Sequence, residues 1–108
     1  MKNVLQDLNK AFESRIRLGL MSALMVNDAV DFNTLKTLLE ATDGNLASHA
    51  RALEDLQYIE VEKSFVGRKP HTRYRITAAG RNAFEQHLAA LEKLLQSTGN
   101  FTSGAIND

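Results

Sequence analysis

The chain has 108 residues, with thirteen Lys plus Arg against thirteen Asp plus Glu, a formal net charge of zero. That length suits one domain, and 44% hydrophobic with 24% charged residues excludes a mainly disordered chain. The absence of cysteine removes disulfides, thiolate metal sites and cysteine nucleophiles, and a zero net charge offers no global attraction to nucleic acid or an anionic membrane.

From Val4 to Val26 the apolar residues Leu5, Leu8, Phe12, Ile16, Leu20, Ala23 and Leu24 recur every three or four positions, which predicts helix. Ser14 is placed to cap a second segment within that stretch. The longest apolar run, Leu18 to Val26, is too short to span a bilayer, and Asp7 and Glu13 stand where a secretory leader would be basic. A soluble, cytoplasmic protein with no membrane partner is therefore expected.

Val30-Asp31-Phe32 reads as a short extended piece. Asn33 is placed to cap a brief helix over Thr34 to Ala41, with Leu35, Leu38 and Leu39 inward. Thr42-Asp43-Gly44 interrupts the pattern, and Thr42 is the candidate cap of a further helix whose Leu46, Ala50, Leu53 and Leu56 share one face. Tyr58 to Val66 and Thr72 to Thr77 alternate as strands around a turn at Gly67-Arg68-Lys69-Pro70, so they pair as a hairpin. Thr77 then caps a helix over Ala78 to Leu95, with Phe84, Leu88, Leu91 and Leu95 as its apolar stripe. Residues 1–95 thus form one domain and residues 96–108 a polar tail.

This order makes an α+β, mostly helical fold. Two short helices around a tight turn match helix-turn-helix, and the hairpin that follows makes the unit a winged helix with a two-stranded wing. The charge distribution agrees. Residues 63–84 contain no acid and six bases, a block of +6 that sums of −4 before it and −2 after it cancel. Arg68, Lys69 and Arg73 on the hairpin suit phosphate or minor-groove contact. The competing reading is an edge hairpin protected from aggregation by its charge.

On the helix after Gly44, an inward Leu46, Ala50 and Leu53 leave Asn45, Ser48, Arg51, Ala52 and Asp55 outward. Asn45, Ser48 and Arg51 carry groups that read base edges or phosphates, and the alternative is a solvated polar face. His49 lies on the flank, more fitting as a packed, hydrogen-bonded side chain than as a ligand. His71 and His87 have no partner at metal-ligand spacing, so no metal or other cofactor is expected. No catalytic constellation forms either. Ser48 and His49 are adjacent on a helix and diverge by about 100°, and Glu60 and Glu62 read as surface residues.

Phe12-Glu13-Ser14-Arg15-Ile16-Arg17-Leu18-Gly19-Leu20, Val30-Asp31-Phe32-Asn33-Thr34-Leu35 and Thr42-Asp43-Gly44-Asn45-Leu46-Ala47-Ser48-His49 resemble the first helix, strand and helix-turn-helix of the MarR/ArsR-like winged-helix transcriptional regulators. Tyr58-Ile59-Glu60-Val61-Glu62-Lys63 and Tyr74-Arg75-Ile76-Thr77-Ala78-Ala79-Gly80-Arg81 resemble their wing and the return to the last helix. The resemblance implies a homodimeric, sequence-specific binder of double-stranded DNA. Asn45, Ser48, His49 and Arg51 would lie on its recognition helix and Arg68, Lys69 and Arg73 on its wing. Two positions depart from the family pattern: Ala50 replaces a larger apolar residue, and Gln57 replaces a glycine at a helix end. The N- and C-terminal helices are the expected dimer elements, with Leu5, Leu8, Phe12, Leu88, Leu91 and Leu95 at the interface. Their mixed side chains leave room for a small-molecule effector without specifying one. The alternative function is a winged-helix protein-interaction module docking an acidic partner.

Overall fold

The structure is a computed structural model that describes residues 3–99. The N-terminal periodicity does not produce one long helix. Asn3 and Asn9 each accept a hydrogen bond from the backbone N–H two residues on, which starts the two 3₁₀ turns Val4–Asp7 and Lys10–Phe12. Ser14 then caps α1, Arg15–Met25, accepting from the Arg17 N–H. Next come β1, Val30–Asp31; α2, Phe32–Leu39; α3, Asp43–Asp55; β2, Ile59–Val66; β3, Lys69–Ile76; and α4, Ala78–Gly99.

The expected cap of α2 is displaced by two residues. Asp31, not Asn33, precedes the helix, and its carboxylate accepts from both the backbone N–H and the hydroxyl of Thr34. Those bonds, the hydroxyl's first, hold the Asp31 carboxyl below its ordinary pKa. Thr42 caps α3 as its sequence position implies, accepting from the Asn45 N–H at 3.1 Å.

Both helices of this pair end on a left-handed residue that is not glycine: Glu40 at φ 50° and Gln57 at φ 64°. Each closes a paired carbonyl bond typical of the Schellman turn. The N–H groups of Ala41 and Tyr58 reach back to the carbonyls of Lys36 and Leu53. Leu56, expected inward, falls at the end of α3 and is half exposed.

The sheet is antiparallel with order β1-β3-β2, and Val30 and Val61 flank Tyr74 from either side. The hairpin turn is tighter than expected, because Lys69 and Pro70 continue β3. Gly67 at φ 65° supplies the positive φ that a two-residue turn of this kind needs first.

The core gathers Leu20, Met21 and Leu24 of α1, Leu35 of α2, Leu46 and Leu53 of α3, Ile59, and Phe84 of α4. Phe12 joins it at 2% exposure, edge-on to Phe84 with ring centroids 5.1 Å apart. Phe12 is therefore a core residue of the protomer rather than a free interface residue. The 3₁₀ turn before it folds the ring under the chain and against α4. The buried face of α4 is Gly80, Phe84, His87 and Ala90, while Leu88, Leu91 and Leu95 stand exposed. The expected single stripe is thus two faces, and the helix runs four residues past Leu95.

His87 is 4% exposed, and its Nδ1 accepts the Asn9 backbone N–H at 3.0 Å. The bond requires an unprotonated ring, and burial pushes the His87 pKa below its ordinary value of 6.5, against a weaker upward pull from Glu13. The unfolded chain consequently takes up this proton first as pH falls. Stability should be full above about pH 6.5 and decline below it toward the folded-state pKa. Urea unfolding between pH 7.5 and 5 should show that slope in the wild type and a smaller one in His87→Gln. At Gly80 an added Cβ would overlap the Tyr58 carbonyl. Gly80→Ala should therefore cost on the order of 2 kcal/mol or more in the same assay. Gln57→Gly, which relieves a left-handed side chain, should gain up to about 1 kcal/mol.

Candidate nucleic-acid interface

The α2–α3 turn is fixed at both ends. Lys36 on α2 pairs with Asp43 at the start of α3 at 2.9 Å, and the Thr42 cap ties the first turn of α3. With Leu46, Ala50 and Leu53 buried, Asn45, Ser48, Arg51 and Asp55 line the exposed side of the helix. Arg51 is engaged by Asp55 one turn on, at 3.3 Å, with both side chains largely exposed. Exposed pairs of this kind hold weakly, so a phosphate competes for Arg51 on favourable terms. Ala52 is half-buried on the flank.

His49 is half-buried, and its Nδ1 accepts the Arg17 Nε–H at 2.9 Å. The ring hydrogen of neutral His49 then sits on Nε2. Arg17 is the residue that sequence reasoning missed. It comes from α1, thirty-two positions away, and no local spacing announces the contact.

On the wing the positive charge is redistributed. Glu62 on β2 lies directly opposite Arg73 on β3 and bonds its guanidinium, with Arg75 at 3.7 Å. The Arg73 hydrogen bond and charge hold the Glu62 carboxyl below its ordinary pKa. Arg81 instead donates to the Met25 carbonyl at 3.4 Å. Among the described residues no carboxylate pairs with Lys63, Arg68 or Lys69. The unpaired charge of the six-base block therefore concentrates toward the hairpin tip, and Arg73 belongs to a cross-strand ion pair. Lys63 and Arg51 line one groove with Val61 and Tyr74, so that face of the hairpin is turned toward α3.

Of the residues assigned to the dimer surface, Leu88, Leu91 and Leu95 are exposed along α4. Leu5 is exposed on the first 3₁₀ turn, and Leu8 is half-buried. Among the described residues no group of three metal-ligating side chains gathers, and no helix is long and apolar enough to cross a membrane. A polar helix face with unpaired cations beside it is equipped to dock on a polyanion.

Comparison with known proteins gives the same picture. A family model described as a winged helix DNA-binding domain matches residues 16–95. An uncharacterized protein of Methanocaldococcus jannaschii is 34% identical over 85 residues, 79% of this chain and 92% of that one. The structure of a transcriptional regulator homologue from Pyrococcus horikoshii superposes with a TM-score of 0.79 at 28% identity, covering 87% of this chain and 95% of the other. A MarR-family regulator from Silicibacter pomeroyi shares the fold at TM-score 0.58 and 16% identity, over 86% and 64% of the two chains. The chain belongs to the winged helix DNA-binding domain family.

Proposed function

We propose that the protein binds an operator in double-stranded DNA as a homodimer, with α3 in the major groove and the wing on the adjacent backbone or minor groove. The observation that carries this reading is the pairing of an exposed polar α3 face with a wing tip whose cations have no carboxylate partner. Asn45 and Ser48 toward the helix start, and Arg51 further along the same face, supply base-edge and phosphate contacts, and His49 offers its Nε2–H at the flank. Arg68 and Lys69 contribute phosphate contacts that hold register without reading sequence. Arg73 acts by bracing the wing through Glu62.

A second copy covers the α4 stripe in this reading. Leu88, Leu91 and Leu95 follow one another at three- and four-residue spacing, all exposed, and Leu5 adds to the same apolar inventory. The protomer is long and thin, 66 Å against 26 and 21 Å, and the outer face of α4 stands uncovered. A two-fold pair would set its recognition helices about 34 Å apart, one turn of DNA. For an effector, the groove between the 3₁₀ turns and α4 offers Gln6, Asp7, Asn9, Lys10, Gln86 and Lys93 around an apolar floor of Leu8 and Ala90, a lining of mixed charge that specifies no ligand.

Selection from a random duplex pool should recover an inverted repeat with half-sites one helical turn apart. Failure to enrich any motif, with capture of a single acidic protein instead, would favour the interaction-module reading. On the selected duplex, replacing Arg68 and Lys69 by Ala should reduce the salt slope of binding by up to about 2, whereas Ser48→Ala should lose discrimination at one base pair and leave the slope unchanged. Leu91→Glu with Leu95→Glu should convert the dimer to monomer in sedimentation.

A further inference from the structure

The wing tip carries two large apolar side chains that nothing among the described residues covers. Phe65 is 73% exposed and Val66 66% exposed, immediately before the Gly67-Arg68 turn. Every residue from 62 to 70 is exposed, and the last half-buried position on β2 is Val61. On β2, Val66 lies five positions past Val61, about 17 Å along the strand, while on β3 half-burial runs out to His71 opposite Ser64, so the tip projects about two residues beyond the packed body. Strand alternation puts Phe65 on the face of Val61 and Lys63, the face turned toward Arg51 of α3. Pro70 lies directly across from Phe65, and Lys69 across from Val66. The apolar pair is therefore ringed by Lys63, Arg68 and Lys69, and no acid occurs from residue 63 to residue 84.

We infer that Phe65, assisted by Val66, is an apolar wedge that enters the minor groove and partly unstacks one base step beside the half-site read by α3. This rests on the DNA-binding reading and deepens it. A basic tip alone needs only the backbone, and a bulky aromatic ring at its end adds nothing to phosphate contact. Stacking surface is what an aromatic offers to nucleic acid, and apolar side chains inserted between base steps kink a duplex. The cations bring the tip to the groove and neutralise the phosphates that a kink draws together. The duplex is the occupant because Phe65 lies on the α3-facing side of the hairpin, where the same ligand meets both elements. Recognition then extends to a position that no hydrogen bond reads. A flexible pyrimidine–purine step, TA or CA/TG, should recur at a fixed offset outside each half-site, since such steps unstack most cheaply.

The test uses the full chain on its selected duplex, with 2-aminopurine placed in turn at each step flanking the half-site. Wild type should raise the fluorescence of one step severalfold and bend the DNA in a permutation assay. Phe65→Ala should abolish the rise, reduce the bend and weaken binding about tenfold, while Phe65→Leu retains part of each. The salt slope should stay constant across these variants, and thermal stability should not change because the side chain is exposed. An unchanged fluorescence and bend in Phe65→Ala, on a duplex still bound, overturns the wedge and leaves the DNA-binding reading standing. No duplex bound by wild type overturns both. Vesicles of phosphatidylglycerol and phosphatidylcholine form the last arm. Binding by wild type that Phe65→Ala loses, with DNA behaviour unaltered, assigns the tip to an anionic lipid surface instead.

Discussion

The angle between α3, the wing and α4 is set at one crowded junction. The Tyr58 carbonyl accepts the Thr77 N–H at 3.0 Å, and the Thr77 hydroxyl donates to the Gln57 carbonyl at 2.6 Å while accepting the Gly80 N–H. Gly80 has no side chain, and a Cβ there would overlap the Tyr58 backbone. The end of α3, the base of the hairpin and the first turn of α4 therefore meet at backbone contact distance. The left-handed turn at Gln57 is part of the same knot, because it swings Tyr58 back under the helix to reach Leu53. A glycine is more usual at such a turn, and here the strain of a side chain is accepted where three elements over-determine the backbone.

Electrostatics follow from the register that this junction sets. Ile59 lies opposite Ile76, and counting outward puts Glu62 against Arg73 and leaves Lys63 against Thr72. One carboxylate therefore quiets the middle of the wing, while the tip keeps its charge. A stretch that is uniformly basic in sequence becomes, once paired, a braced stem with a reactive end. The same holds on α3, where Asp55 occupies Arg51 in an exposed pair.

Elements set by side-chain-to-backbone competition over a few residues were legible before the structure. Ser14, Thr42 and Thr77 cap where their positions indicate, and the alternation around Tyr74 gives the hairpin. The winged-helix order, and with it the family, was readable for the same reason. Errors arise where two local solutions compete. Asp31 outbids Asn33 for the start of α2 because its carboxylate engages two groups of Thr34 at once. Asn3 and Asn9 break a helix that apolar spacing alone would continue. Other features depend on contacts across the chain. Neither the bond from Arg17 to His49 nor the seat of His87 under Asn9 leaves a trace in linear spacing. The apolar stripe of α4 misleads because a buried histidine and a glycine, not leucines, line its inner face.

The two faces of α4 tie assembly to groove geometry. Its inner face is locked by Phe84 and His87 against Phe12 and the first turns of the chain, so the outer leucines ride on a rigid support. A single residue, Thr77, separates β3 from α4, and that residue is bonded on both sides. The connection leaves no loop to absorb a change of angle. A displacement of α4 must move β3 with it, and β3 carries the wing through a full-length antiparallel ladder with β2. Helix α3 shares the same Tyr58 anchor. Whatever covers the outer leucines of α4 therefore sets the placement of α3 and wing as one rigid unit, rather than through a flexible linker.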